Sequence, residues 1–384
     1  MFKIYAPYIF QGGIIMAIFK IIRNVLESVY NTKIEWARIP DGVTAIGDGA
    51  FEDCTSLESV IIPDSVKTIG RYAFKRCTSL KKIIIPNGVT TIETGTFNGC
   101  TSIESIVIPD GVTAIWEDAF SGCISLESVI IPDSVKTIGR YAFRSCRNIK
   151  SIVIPDGVTA IGDGAFWNCE CIKSIAIPDS VKTIGSTTFD NCTSLESIAI
   201  PDSVKTIGSS AFNNCVSLKA ITIPDGVTAI WEDAFSGCIS LKSIVIPDSV
   251  KTIGRCAFRS CRNLESIVIP DGVTVIGDGA FWNCESLKVI TIPDGVKTIG
   301  STTFDNCMSI ESITIPDSVK TIGRGAFWNC SDNLKELVFE QLSEDCNFDS
   351  EAFEKIEKPQ DDLKISDTEV AYGYAEMMFG EDSV

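Results

Sequence analysis

Prolines recur every 23 residues, and this period constrains the fold more than any other feature of the chain. The series runs without a break from Pro40 and Pro63 to Pro316 and contains thirteen of the 15 prolines. Columns of valine, isoleucine, phenylalanine and cysteine keep the same period and start at Val43, Ile46, Phe51 and Cys54. A period of this length is typical of a solenoid in which each repeat forms one coil. Residues 110–201 and 225–316 also match each other, which indicates a block duplication.

Each repeat predicts one coil that contains a short strand and tight turns. In "SLESVIIP", Leu57, Val60 and Ile62 point to one side and Ile61 to the other. Proline ends the strand because it cannot donate to a ladder, and the aspartate after it suits a turn. In "AFxxC", phenylalanine and cysteine lie three residues apart, a spacing that suits one helical turn. Ordering a single coil costs about 1–2 kcal/mol per residue in backbone entropy, so stability depends on stacked neighbours.

These residues resemble a known repeat. "SLESVIIPDSVKTIGRYAFKRCTSLKKIIIP" is similar to the BspA-type (treponemal-type) leucine-rich repeat, SLxxIxIPxxVxxIGxxAFxxCxxL, over about Ile34 to Phe339. The resemblance implies a repeat solenoid poor in helix: a curved, right-handed coil with a parallel β-sheet on one face and short turns or helical turns elsewhere. It also implies no catalytic activity and a role in binding matrix or surface proteins. The glycine of the repeat is Gly47, and Glu93, Trp116 and Trp231 replace it in three copies.

Composition excludes several classes of function. The chain has no histidine, which removes Ser-His-Asp and Cys-His sites and histidine-containing zinc sites. Its net charge of −17 disfavours nucleic acid as a partner. Paired carboxylates for glycoside hydrolysis are an alternative, but each aspartate recurs in sibling copies and catalysis needs a unique constellation. We therefore expect no enzyme activity, no cofactor and no small-molecule substrate.

The outward side of the strand is the main candidate for a binding surface. A charge column from Glu58 and Lys81 onward alternates in sign often enough to be a self-neutralising ladder. A second column carries apolar residues, and its candidate protein-binding members are Ile61, Ile84, Val107, Ile130 and Val153. An exposed apolar stripe marks a contact surface. The alternative is that β-branched residues simply favour strands.

Tryptophans form a second candidate set. Trp167, Trp282 and Trp328 follow the column phenylalanine, where other copies carry charged residues. They are candidate protein-binding residues, or else edge rings that lie over their neighbours. Trp116 and Trp231 replace a glycine, and we expect them to pack between coils.

Aspartates and cysteines also form columns. The aspartates that follow each proline fit turn capping, with a calcium row as the alternative. Thirteen of the 16 cysteines occupy one inward column and fit buried thiols better than disulfides, because parallel side chains match the disulfide dihedral poorly. Zinc is weakly supported, since no CxxC pair is present.

The predicted organisation has four parts. Residues 1–33 form an N-terminal cap helix, or a signal-like segment, on which Ile15, Ile18, Ile22, Val25 and Val29 make one apolar stripe. Residues 34–339 form the solenoid of about 13 repeats, residues 340–358 a degraded C-terminal cap, and residues 359–384 an acidic flexible tail.

The resulting prediction is a non-catalytic, monomeric protein-binding scaffold. The resemblance implies adhesion or host interaction through the strand face, at the cell surface or after secretion. No clear signal peptide is visible, so a cytoplasmic protein–protein interaction scaffold is the alternative.

Overall fold

Short parallel strands in two rows, joined by turns, build the protein. The computed structural model describes residues 3–5, 19–330, 336–339, 346–349, 351–352 and 364–365. The chain divides into two compact units, Met1–Thr193 and Ser194–Val384. Each unit is a stack of coils, and the predicted solenoid of about thirteen turns is confirmed. The described residues include no helix that could cross a membrane.

The first-strand row consists of the strand that precedes each repeat proline. Its partners lie 23 residues apart in parallel register, as Ser105 pairs with Ser128 and Val107 with Ile130. In the first unit the strands are Trp36–Arg38, Ser59–Ile61, Lys82–Ile83, Ser105–Val107, Ser128–Ile130, Ser151–Ile152 and Ser174–Ala176. In the second unit they are Ser197–Ala199, Ser243–Val245, Ser266–Val268, Val289–Thr291, Ser312–Ile315, Glu336–Phe339 and Lys364–Ile365.

The second-strand row follows the proline turn and buries the column isoleucine. In the first unit its strands are Val25–Val29, Ala45–Ile46, Thr68–Ile69, Thr91–Ile92, Ala114–Ile115, Thr137–Ile138, Ala160–Ile161 and Thr183–Ile184. In the second unit they are Thr206–Ile207, Ala229–Ile230, Thr252–Ile253, Val275–Ile276, Thr298–Ile299, Thr321–Ile322 and Asn347–Phe348. The remaining strands, Lys3–Tyr5 and Phe19–Ile22, are antiparallel to their neighbours.

The phenylalanine–cysteine segment is a turn, not the helical turn that its spacing suggests. Within a coil, the amide of Cys54 donates to the carbonyl of Phe51 at 3.1 Å. Between coils, the amide of Phe51 donates to the carbonyl of Ala73 at 2.7 Å. Alternate backbone amides of this segment therefore donate to the next coil, as they do in a sheet. The described residues contain no helix.

Aromatic stacking fills the interior of both units. The rings from Phe51 to Phe189 in the first unit stack with centroids 4.9–5.7 Å apart. The rings from Phe212 to Phe327 in the second unit stack at 5.3–5.5 Å. The spacing follows from the strand repeat of roughly 4.8 Å, because each side chain meets its own copy in the next coil. This contact accounts for the phenylalanine in every copy of the column.

The position before each column cysteine adopts a left-handed backbone in all thirteen copies. Its φ is positive throughout, for example +60° at Asp53 and +72° at Gly99. Six copies carry asparagine and three carry glycine there, the residues that adopt this conformation at least cost. The asparagine-and-glycine column was the sequence signal for this turn.

The N-terminal segment contains strands where the sequence predicted a helix, so the helix prediction is wrong for the described residues. Phe19–Ile22 and Val25–Val29 form a hairpin whose two turn residues, Arg23 and Asn24, both have positive φ, as a type I′ turn requires. Val25 pairs in parallel with Ala45. A strand satisfies the open edge of the parallel row, and a helix cannot. Ile15 and Ile18 lie outside the described residues.

The hairpin covers the first coil. Leu26 is fully buried, and the Phe19 ring meets Phe51 edge-on with centroids 6.1 Å apart, which closes the phenylalanine stack. Capping by this segment remains a proposal, now through strands.

The chain continues the coil pattern beyond Cys330. Thr321 pairs with Asn347, and the amide of Phe327 donates to the carbonyl of Ala352 at 2.8 Å. The degraded C-terminal cap over residues 340–358 stays a prediction. Lys364–Ile365 pairs in parallel with Glu336–Phe339, so this part of the predicted flexible tail is a strand.

Candidate functional site

The outward side of the first-strand row in the first unit carries an exposed apolar ladder. We call Ile61, Ile84, Val107, Ile130 and Val153 the outward row. Their exposure runs from 49% at Ile61 to 75% at Val153, while the residues beside them, such as Val60 and Ile106, are buried. This alternation follows the pleat of a strand. The structure therefore brings these five predicted residues together on one surface.

The same column is less apolar in the second unit. Val245 and Val268 are exposed there, but threonines occupy the column before and after them at Thr222 and Thr291. The first unit thus offers five successive apolar rungs, whereas the longest such run among the described residues of the second unit is Val245 and Val268. If apolar contact area determines binding, the first unit has the larger surface.

The charge column is a ladder of ion pairs between neighbouring coils. In the first unit, Lys81 lies 2.9 Å from Glu58 and Lys150 lies 2.8 Å from Glu127. In the second unit, Lys219 lies 2.6 Å from Glu196. The hydrogen bond with Glu127 raises the pKa of Lys150 above its ordinary value. These pairs fit the predicted self-neutralising ladder, and exposed pairs of this kind contribute little stability.

The aspartates after each proline form an exposed edge beside the outward row. The turn is closed by the amide of Val66, which donates to the carbonyl of Pro63 at 3.0 Å. Within the described residues, no hydrogen bond or ion pair reaches the carboxylate of Asp64, so the predicted turn capping is not observed. No group of three metal-ligating side chains that could hold an ion occurs in the described part of the chain.

Shallow grooves lie where the aspartate edge meets the sheet face in the first unit. One is lined by Ile61 and Arg38 together with Asp41 and Asp64 of adjacent coils. Another is lined by Ala176 together with Asp156 and Asp179. Each groove thus joins an outward-facing strand residue to two carboxylates.

The three candidate tryptophans, Trp167, Trp282 and Trp328, lie in the turns and not on the first-strand row. Trp167 and Trp282 are half-buried beneath arginines, with Arg144 4.7 Å above the first ring and Arg259 4.5 Å above the second. The indole nitrogen of Trp328 donates to the carbonyl of Glu351 at 2.6 Å. These contacts match the alternative of edge rings lying over their neighbours, and the structure does not bring them together with the outward row.

The two tryptophans in the glycine column are exposed, so the prediction that they pack between coils is wrong. Trp116 is 42% exposed and Trp231 is 49% exposed. A Cβ on Gly139, the next member of this column, would lie 2.7 Å from the carbonyl carbon of Trp116. The backbone of adjoining coils fills the interior at this position, and a large side chain can only turn outward.

The column cysteines are buried, and their thiols contact backbone carbonyls of the protein. In eleven copies the sulfur lies 3.0–3.3 Å from the column phenylalanine carbonyl of the preceding coil, as for Cys77 and Phe51. Burial raises the pKa of the Cys123 and Cys261 thiols to about 12. Cys171 lies outside the column and is half-exposed.

Sequence reasoning missed part of this surface. Trp36 and Arg38 extend the face by one coil, since they pair with Ser59 and Ile61 and are exposed. The signal was "IEWARIP", which aligns with the other strands through its proline. It also missed that the aspartate edge belongs to the same surface, because the turn brings Asp64 back beside Ile61.

Comparison with known proteins agrees with this architecture. The family model of the BspA type leucine rich repeat region matches residues 26–150, 136–265 and 251–367, in 6 copies. A leucine-rich repeat protein from Bacteroides ovatus is 27% identical, with a TM-score of 0.71 over 94% of this chain and 99% of that one. A leucine rich cell surface protein from Faecalibacterium prausnitzii is 26% identical, with a TM-score of 0.51 over 96% and 98%. No curated protein matches the chain.

Proposed function

Because the chain belongs to the BspA type leucine rich repeat family, whose members are typically protein-binding scaffolds, we propose that it binds a protein partner through the outward row and serves in adhesion or cell-surface interaction. The observation that carries the proposal is the continuous exposure of five apolar residues, from Ile61 to Val153. Burying such residues in a contact yields about 1.5–3 kcal/mol each at most.

A surface role has separate support. The similar protein from Faecalibacterium prausnitzii is described as a cell surface protein. The outward row also meets the solvent on a rigid, hydrogen-bonded sheet, which loses little conformational entropy when a partner binds. The proposed activity is binding, without catalysis.

Binding assays on matched variants test the proposal. The full chain and the variant Ile61→Lys/Ile84→Lys/Val107→Lys are compared for binding to surfaces coated with purified extracellular matrix proteins. We expect the variant to bind at least about tenfold more weakly, because central apolar anchors dominate most interfaces. The control is Thr222→Lys/Val245→Lys/Val268→Lys in the second unit, which adds the same charge and is expected to change binding about twofold or less.

Unchanged binding by the first variant would move the function away from the outward row. Labelling of intact cells with a membrane-impermeant reagent tests the location. A protein that is labelled only after lysis would favour the intracellular scaffold over adhesion.

A further inference from the structure

The aspartate edge that runs beside the outward row indicates the chemistry of the partner. In the first unit the edge holds Asp41, Asp64, Asp110, Asp133, Asp156 and Asp179. All six are exposed, and no hydrogen bond or ion pair within the described residues reaches their carboxylates. Neighbouring members lie one coil apart, roughly 4.8 Å along the stack, except that Asn87 separates Asp64 from Asp110.

Basic residues only partly offset this edge. Three lysines accompany the six aspartates of the first unit, at Lys67, Lys136 and Lys182, and Arg38 lines the groove that holds Asp41 and Asp64. The ammonium of Lys67 donates to the backbone carbonyl of Asp64 at 3.1 Å, and that of Lys182 to the carbonyl of Asp179 at 3.3 Å. Neither hydrogen bond uses a carboxylate oxygen. The charge ladder on the other side of the outward row is paired with itself, so the excess negative charge lies on the aspartate edge.

We infer that the outward row and the aspartate edge together bind a polypeptide segment that presents arginine or lysine beside apolar side chains. This inference rests on the proposed function and specifies its partner. Two carboxylates from adjacent coils, such as Asp156 and Asp179, line one groove and can share a single guanidinium. The aliphatic stem of that side chain would lie against the outward strand residue of the groove, Ile61 or Ala176.

A second copy of the chain is a poorer occupant of this surface. The chain carries 50 acidic and 33 basic residues, so two copies repel each other. In a two-fold arrangement centred on Val107, Lys81 would face Glu127 but Glu104 would face its own copy, so the charge ladder is not fully complementary to itself.

Three labelled peptides test the inference by fluorescence anisotropy on the full chain. They have equal length and equal leucine content, and their remaining positions are arginine, glutamate or glutamine. We expect the arginine peptide to bind about tenfold more tightly than the glutamine peptide at physiological salt, with the preference lost at high salt. Equal binding of the arginine and glutamine peptides, tighter binding of the glutamate peptide, or no binding of any peptide would overturn the inference.

Two variants with the same charge change locate the effect. The first replaces Asp110, Asp133, Asp156 and Asp179 with asparagine, and the second replaces Asp225, Asp248, Asp271 and Asp294. Asparagine already occupies this column at Asn87, so both variants are expected to fold. We expect the first to weaken arginine-peptide binding about tenfold and the second about twofold, because exposed pairs each contribute a small factor and the second unit has a shorter apolar row. Equal losses would indicate attraction to net charge alone and contradict the inference.

The inference and the proposed function can fail separately. If lysine substitutions in the outward row abolish binding to matrix proteins but the peptides show no charge preference, the partner class is wrong and the binding face stands. If those substitutions leave matrix binding unchanged while the arginine peptide still depends on the first aspartate set, the proposed function fails.

Discussion

Residues 110–193 in the first unit and 225–308 in the second are two copies of one sequence, and their differences show what each position must satisfy. Thirteen of the 84 positions differ. Buried differences exchange one aliphatic residue for another, as in Ile149 and Leu264. The surface pair Glu127–Lys150 recurs as Lys242–Glu265 with its charges reversed, and both pairs lie within 4 Å. Interior positions therefore require an apolar side chain of similar volume. Paired positions of the charge ladder require opposite charges, but either coil can carry the acidic residue.

The largest expected effect comes from substitutions in the phenylalanine stack, which should destabilise both copies equally. Phe143 and Phe258 are fully buried between rings 5.3–5.7 Å away. We expect Phe143→Ala and Phe258→Ala each to lower the free energy of unfolding by about 3–5 kcal/mol, because the cavity cannot close in a stack of identical coils. Urea denaturation measures the loss, and hydrogen exchange shows which coils open. Losses that differ by more than about 2 kcal/mol would show that the copies are not equivalent inside.

Alkaline pH should act next most strongly through the thiols, again in both copies. Burial holds the pKa of Cys261 at about 12 and that of Cys146 well above its ordinary value of 9.0. The folded state keeps the proton above pH 9 and the unfolded state loses it. Stability from each thiol is thus full below about pH 9 and falls by about 1.4 kcal/mol per pH unit as pH rises towards 12.

Single substitutions isolate that contribution. We expect Cys146→Ala and Cys261→Ala each to reduce the slope of unfolding free energy against pH by about 1.4 kcal/mol per unit between pH 9 and 11, measured by urea denaturation. The matched control is Cys171→Ser, which reproduces Ser286 of the second copy outside the column and should leave the slope unchanged. Slopes that are equal in all three variants would contradict the buried thiol column.

The repeat columns made most of this fold predictable, because each buried side chain meets its own copy and leaves a period in the sequence. Val43, Ile46 and Phe51 begin three of the periodic columns, and all three are buried. The alternation that exposes Ile61 was predictable for the same reason. The period carries no information about a feature that occurs only once, such as the hairpin at residues 19–29. There the apolar spacing suggests a helix, but strands form because they supply hydrogen bonds to the open edge of the sheet.

The surface beside the strands was less predictable. The glycine that Trp116 replaces predicts an interior position, but only the structure shows that the backbone of adjoining coils fills that space. The contact between the aspartate edge and the outward row depends on how sharply the proline turn folds back. That angle leaves no mark in the sequence, since turn-capping aspartates would give the same column.

A difference confined to one side chain gives a smaller prediction. In the first copy the Tyr141 ring lies beneath Arg144 and 5.9 Å from Trp167, and Cys256 takes its place in the second. The Tyr141 ring lies beside Gly164, which has no side chain to clash with it. Cys256 lies beside Gly279 in the same way, so a tyrosine at position 256 would have the same space. We expect Tyr141→Cys to lower the free energy of unfolding by about 1 kcal/mol and Cys256→Tyr to raise it by up to about as much. Urea denaturation of both variants checks the pair, and destabilisation by Cys256→Tyr would show that the second copy has no place for the ring.

The charge ladder gives the smallest effect, but its sign differs between the copies. Around the first pair the column reads Glu104, Glu127, Lys150, Lys173, so Glu127→Lys/Lys150→Glu turns one attractive contact into three. Around the second it reads Lys219, Lys242, Glu265, Lys288, and reversing Lys242 and Glu265 leaves two attractions and one repulsion, as before. We expect the first reversal to raise the Tm by about 1 °C at low salt and the second to leave it unchanged, with both differences screened at high salt. Calorimetry at the two salt concentrations distinguishes them, and an equal response of the two copies would mean that neighbouring coils do not sense each other's charges.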